Sequence, residues 1–223
     1  MRKSTREALS LEYNIGMFKK KPFLDFIKRC FDIFMSLFCI ILLSWLFLII
    51  AILIKCTSRG PVLYGHERVG KNGSFFKVWK FRSMRVDNRP IEEILTKEQL
   101  EEYKNEFKVT NDPRVTKIGK LLRKSSIDEL PQLFNILFGN MSFVGWRPIL
   151  KEEWETYYGA NKDLLVMVKP GLTGYWACHG RSQITYKQRV KMELYYVVKR
   201  SVWLDIRILW HTVFKVAMQE GAE

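Results

Sequence analysis

The sequence predicts an α+β protein, mainly helical, held to a membrane by an N-terminal apolar helix, with a small β-hairpin and interfacial amphipathic helices. Three observations lead there. Residues 33–54 (IFMSLFCIILLSWLFLIIAILI) carry no charge, about the length that crosses a bilayer core. Asn72-Gly73 between two apolar runs marks a hairpin turn. From Tyr186 to Met218, the aromatics Tyr195, Tyr196, Trp203 and Trp210 alternate with Lys191, Lys199, Arg200, Arg207 and Lys215, a pattern suited to helices in the headgroup region. Packing of those helices on the protein core is the competing expectation.

The 223 residues suffice for one domain with a sizeable core, and 37 Lys and Arg against 23 acids give a formal charge of +14. So basic a chain predicts an anionic partner: nucleic acid, anionic lipid or a phosphorylated substrate. The apolar run weighs against a soluble nucleic-acid binder. Cys30, Cys39, Cys56 and Cys178 lack metal-ligand spacing and read as reduced thiols facing a cytoplasm. His66, His179 and His211 are scattered, which argues against a histidine-bound metal. Neither a G-x-G-x-x-G nor a Walker-type loop occurs, so no dinucleotide-binding or P-loop fold is supported.

Residues 1–27 read as a flexible basic arm, and not as a secretory signal, because no small-residue cleavage site follows the apolar run. Residues 28–56 hold the membrane helix. Its flanks are basic on both sides (Lys28 and Arg29 before, Lys55 and Arg59 after), so the positive-inside rule gives no orientation. Two geometries follow: a plain spanning helix, or one that dips in and returns, bending at Ser44. Residues 57–223 form the polar remainder. On the second hairpin strand Lys80 and Arg82 share a face, out of phase with Lys77, either lining an anionic pocket or simply exposed. Residues 91–107 read as an acidic, solvated helix, and 116–122 as a basic one. The glycines of Lys169-Pro-Gly-Leu-Thr-Gly174 suit backbone N–H groups approaching an anion.

The centre of the chain is Arg123-Lys-Ser-Ser-Ile-Asp128-Glu129-Leu-Pro-Gln132. Leu130, Leu133, Phe134 and Leu137 mark the buried face of a helix that Gly139 ends. Either Ser126 caps it, with Glu129 completing a capping box, or Pro131 takes its first position. Both place Asp128 and Glu129 near a helix N-terminus that favours negative charge. A mere cap is one reading; an ionised nucleophile, with Glu129 and Arg123 managing a phosphate and its metal, is the other.

Several stretches together resemble the bacterial sugar transferases, monotopic polyprenyl-phosphate phosphoglycosyl transferases, in their compact form. They are Lys28-Arg29-x-x-Asp32, Gly60-Pro61-Val62 with Glu67-Arg-Val-Gly70, Lys80-Phe-Arg82-Ser-Met84, Arg123 through Gln132, Met141-Ser-Phe-Val-Gly145 with Arg147-Pro148, and Lys169-Pro-Gly-x-Thr-Gly174 with Gly180-Arg181. The resemblance implies a re-entrant membrane helix broken at Ser44-Trp45, where the family usually has Ser-Pro, and anchored at the membrane interface by Lys28, Arg29 and Asp32. It implies a catalytic domain on the cytoplasmic face of the bacterial plasma membrane and Mg²⁺ as cofactor, with Asp128 and Glu129 as both catalytic pair and metal ligands. Arg123, Lys80, Arg82, Arg147, Gln132 and Arg181 are the implied phosphate and substrate contacts. The implied reaction moves a sugar phosphate from a UDP-sugar to polyprenyl (undecaprenyl) phosphate and releases UMP. Asp128 attacks first, and downstream glycosyltransferases of capsule or exopolysaccharide assembly take the product. Direct attack by the lipid phosphate, with Asp128 only a metal ligand, and a non-enzymatic basic domain on a single-span anchor are the alternatives. The sugar and the oligomeric state are not legible.

Overall fold

The computed structural model describes residues 2–10, 12–87, 89–106, 109–179 and 184–217. Helix α1 (Arg2–Ser10) precedes α2 (Pro22–Leu42) and α3 (Ser44–Thr57), which lead into strands β1 (Leu63–Val69) and β2 (Phe75–Phe81). Then come α4 (Ile91–Ile94), α5 (Lys97–Glu106), α6 (Lys117–Lys124), α7 (Gln132–Phe138) and β3 (Ser142–Val144). Helices α8 (Lys151–Tyr158) and α9 (Lys162–Leu165), strand β4 (Gly171–Thr173), and helices α10 (Tyr175–His179), α11 (Tyr186–Lys199) and α12 (Val202–Ala217) complete the order. The fold is mainly helical with a two-stranded antiparallel hairpin, an α+β protein as predicted.

Among the described residues no single helix is long and apolar enough to cross a membrane. Helices α2 and α3 meet that test only together, and they are bent by 61° at Leu43. The bend stands one residue before Ser44 and needs no proline: Leu43 N–H still donates to Cys39 O at 2.9 Å, and Leu43 O accepts from Phe47 N at 3.0 Å. Phe34, Ile41, Trp45 and Leu48 stand outward, each more than 60 % exposed, and give the pair an apolar outer face.

The inner faces of the pair pack on the rest of the protein. Cys39, Ile40 and Phe47 lie on a cluster of Val78, Leu133, Ile136 and Met141, and Ile50 and Ile54 lie on Phe81 and Leu122. Each fully buried aliphatic side chain contributes roughly 1.5–3 kcal/mol. The largest core surrounds α11, where Trp146, Tyr158, Leu164, Leu165, Met192, Leu194 and Ile208 are buried.

Several expectations change here. The N-terminal residues are not a loose arm: α1 docks on α11, with Ala8 buried and Lys191 Nζ donating to Leu9 O at 2.7 Å. Tyr195 and Tyr196 are buried, so α11 is a core helix and the interfacial reading fails for it. Helix α12 differs: Trp203, Ile206, Trp210 and Val213 recur at helical spacing and are exposed. The hairpin loop is longer than a two-residue turn, with Asn72 at φ 57° and Gly73 at φ 74°. A second sheet, unforeseen, pairs β3 with β4 in parallel. It explains the glycines of residues 169–174: a Cβ on Gly171 would stand 2.1 Å from Gly145 N, and one on Gly174 2.1 Å from Gly145 O. Gly171 N–H is spent on Trp146 O at 2.8 Å, so close packing, not an anion, requires that glycine.

Candidate functional site

Asp128 sits on a 3-10 turn, Ile127–Glu129, between the end of α6 and the start of α7. Ser126, before it, takes a left-handed φ of 56° and makes no side-chain cap. The capping box therefore does not form, and Pro131 stands at the start of α7, close to the alternative expected. The turn is enforced from both sides. Helix α6 is capped by Thr116, whose hydroxyl accepts from Gly119 N at 2.9 Å, and Gly139, at φ 89°, closes α7. Buried Asn135 ties α7 to β2: its Oδ1 accepts from Trp79 N at 2.9 Å and its Nδ2 donates to Lys77 O at 2.8 Å.

That lock brings Lys80 of β2 to the turn, where its Nζ pairs with Glu129 Oε1 at 2.6 Å. Both side chains are about one-third exposed, so the pair is worth at most about 1 kcal/mol, and its effect is mainly positional. Asp128 is 7 % exposed. Burial pushes its carboxyl up from 3.8 to about 6; the Lys80 and Arg123 cations pull it down and Glu129 pushes it up. The expected helix N-terminus does not hold this carboxylate low, because α7 begins four residues later and desolvation dominates. Arg123, in the last turn of α6, is steered by Ser83, whose Oγ accepts from Arg123 Nε at 2.9 Å. Helix α6 can come that close only because residue 119 is glycine: a Cβ there would lie 1.8 Å from Ser83 O. Gln132 is buried in the first turn of α7.

Asp128, Glu129, Lys80 and Arg123 thus converge, a charged turn of two carboxylates and two cations at one end of the hairpin. A family model described as bacterial sugar transferase matches residues 23–219. The chain belongs to that family.

Among relatives of this bacterial sugar transferase is the undecaprenyl-phosphate galactose phosphotransferase of Salmonella typhimurium. It is 43% identical over 201 residues, covering 88% of this chain and 42% of that protein. The UDP-glucose:undecaprenyl-phosphate glucose-1-phosphate transferase of Escherichia coli is 37% identical over 203 residues, 88% of this chain and 41% of its own length. The chain therefore spans less than half of these two relatives. Against the exopolysaccharide production protein ExoY of Rhizobium meliloti the match is 40% identical over 205 residues, 91% of this chain and 90% of that protein.

The remaining predicted residues of this bacterial sugar transferase fall elsewhere. Arg82 is buried, and its guanidinium donates to Ser58 O at 2.7 Å and Arg59 O at 2.8 Å, holding the end of α3 rather than facing outward beside Lys80. Arg147 lies in a second cluster, 5.7 Å above the Trp176 ring, which Arg189 also approaches at 5.0 Å. Trp146, just before it, is fully buried and donates through Nε1 to Val168 O at 3.0 Å. Arg181 lies outside the described residues. Lys28, Arg29 and Asp32 turn inward to the protein. Lys28 pairs with Asp205 at 2.5 Å, Arg29 donates to Ile136 O and Leu137 O at 2.8 Å, and Asp32 accepts from Phe143 N at 3.0 Å. They fasten α2 to α7, β3 and α12.

Ser83, Asn135 and Gly119 position the site through contacts with residues distant in the chain. For Asn135 a signal existed: a polar side chain at i+3 from Gln132 inside an apolar helix, which burial allows only with partners.

Proposed function

We propose that this bacterial sugar transferase moves a sugar-1-phosphate from a UDP-sugar to polyprenyl phosphate, releasing UMP, with Asp128 as a covalent nucleophile. The observation that carries the reading is a buried aspartate raised to about 6, flanked by Lys80, Glu129 and Arg123. At pH 7 such a carboxylate is about nine-tenths ionised yet poorly solvated, which favours attack. Asp128 Oδ attacks the phosphorus bearing the sugar, and the bond to the UMP oxygen breaks. The lipid phosphate oxygen then displaces Asp128 and leaves with the sugar phosphate. Lys80 and Arg123 lower the repulsion between diphosphate and carboxylate.

The donor set suits Mg²⁺. Asp128 and Glu129 offer two carboxylates on one turn. That matches a cation held by one or two carboxylates with substrate phosphates completing its shell. Bound there, Mg²⁺ would neutralise charge on the diphosphate.

The bent α2–α3 pair supports re-entry from one membrane face, with the exposed stripe of α12 lying in the headgroup layer of the cytoplasmic leaflet. Purified protein incubated with a panel of labelled UDP-sugars and no lipid acceptor tests the mechanism. A labelled phosphosugar on Asp128, with stoichiometric UMP, is expected. UMP formation only when polyprenyl phosphate is present, and no adduct, would establish direct lipid attack instead.

A further inference from the structure

At the far end of α7 from Asp128 lies a cavity of about 60 Å³, several times what one water needs. Seven residues of α7, about 10 Å at 1.5 Å per residue, separate that end from the catalytic turn. Its lining includes five cations, Lys28, Arg29, Lys71, Lys169 and Arg200, against two carboxylates, Asp25 and Asp32. Several of these charges are already matched. Lys28 pairs with Asp205, Arg200 pairs with Asp25, and Asp32 accepts from Ser142 Oγ at 3.1 Å and Phe143 N at 3.0 Å. Lys169 and Lys71 form no ion pair among the described residues.

Two of the cations crowd each other. The Cβ position of Gly139 lies 3.3 Å from Arg29 Nη2 and 3.4 Å from Lys169 Nζ. Burial first, and then Arg29, lowers the Lys169 ammonium below its ordinary range, and Asp32 offsets only part of that, so Lys169 gains from a further anion; Arg29, whose two terminal nitrogens hold Ile136 O and Leu137 O, adds its charge from beside it. Lys71 is brought in by the hairpin loop, where Asn72 N donates to Val166 O at 2.8 Å. The cavity opens against the first turns of α2, beside outward-facing Phe23 and Phe26.

We propose that this cavity binds a phosphate group through Arg29, Lys71 and Lys169, at the depth of the lipid headgroups. The headgroup placement rests on the membrane reading above; the anion site itself does not, nor does it need chemistry at Asp128. The test is thermal denaturation of the full chain. In detergent, inorganic phosphate is titrated against chloride at matched ionic strength; in phosphatidylcholine nanodiscs, phosphatidylglycerol is present or absent. Protection by phosphate or by phosphatidylglycerol is expected, unchanged in Arg123→Met and weakened at least about tenfold in Lys169→Met. Protection by inorganic phosphate assigns the site to a soluble anion, and protection by phosphatidylglycerol alone assigns it to a headgroup. Exposed Lys71→Ala, which removes nothing from the core, is expected to weaken it several-fold. No protection in either arm, or equal protection in Lys169→Met and Lys71→Ala, overturns the proposal.

Discussion

Asp128→Asn should make the protein inactive and more stable at once. Asparagine keeps the shape of the side chain and removes the charge that burial penalises. Raising an aspartate from 3.8 to about 6 is worth about 3 kcal/mol, at 1.36 kcal/mol per pH unit. The sign follows from linkage: the folded state prefers the protonated carboxyl, so that preference is fully present below 3.8 and lost as pH rises through about 6. The wild type carries the whole penalty at pH 8, and the variant carries none. In a chain of this size about 3 kcal/mol corresponds to several degrees, at roughly 2–4 °C per kcal/mol. Thermal denaturation in detergent with EDTA, read at pH 8 and pH 5, gives the comparison. The variant is expected to melt several degrees higher at pH 8, with the gap closing toward pH 5, and to release no UMP. A variant no more stable than wild type at pH 8, or a gap that ignores pH, would refute the claim that desolvation governs this aspartate.

Lys80→Met should shift the acid limb of the pH–rate profile upward, since Lys80 is the strongest of the cations holding Asp128 down, while stability falls by less than about 1 kcal/mol; an unmoved limb would contradict this. Asn135→Leu strands the Trp79 N–H and Lys77 C=O inside the protein and should cost about 2–4 kcal/mol, read as a melting temperature lower by 5 °C or more. Gly119→Ala should cut activity more than its helix propensity suggests, because the methyl would overlap Ser83 O and push Arg123 away from the turn; wild-type activity would show that α6 need not approach Ser83. Trp203→Glu with Trp210→Glu should release protein from membranes at high salt without lowering its melting temperature, and unchanged retention would exclude α12 from the interface.

Local chemistry was the legible part. The charge-free run, the hairpin around Asn72-Gly73 (though not its two-residue turn), Gly139 as a helix stop and the adjacent Asp128 and Glu129 all depend on a few neighbouring residues, and the structure keeps each. What failed depended on distant partners. Tyr195 and Tyr196 look interfacial beside Lys191 and Lys199, until Val144 O and Asp205 occupy the Tyr196 hydroxyl and α1 covers α11. Arg82 follows Lys80 at the two-residue spacing of a strand face, yet β2 ends at Phe81 and the end of α3 captures its guanidinium. The ionisation of Asp128 was the subtlest case. Sequence suggests a helix N-terminus favouring charge, but only the fold reveals how far burial outweighs that effect.

The apolar helix pair grips the Asp128 turn from two sides. Arg29 on α2 donates to the last carbonyls of α7, the helix that starts just past Asp128. Helix α3 packs Ile50 and Ile54 against Phe81 and Leu122, the residues next to Lys80 and Arg123, and Phe47 meets both Phe81 and Phe134 edge-on or tilted. A change in the 61° bend would therefore move the carboxylates relative to the cations that oppose them. Packed interiors do not deform smoothly, so the angle of the pair and the geometry of the site are fixed together.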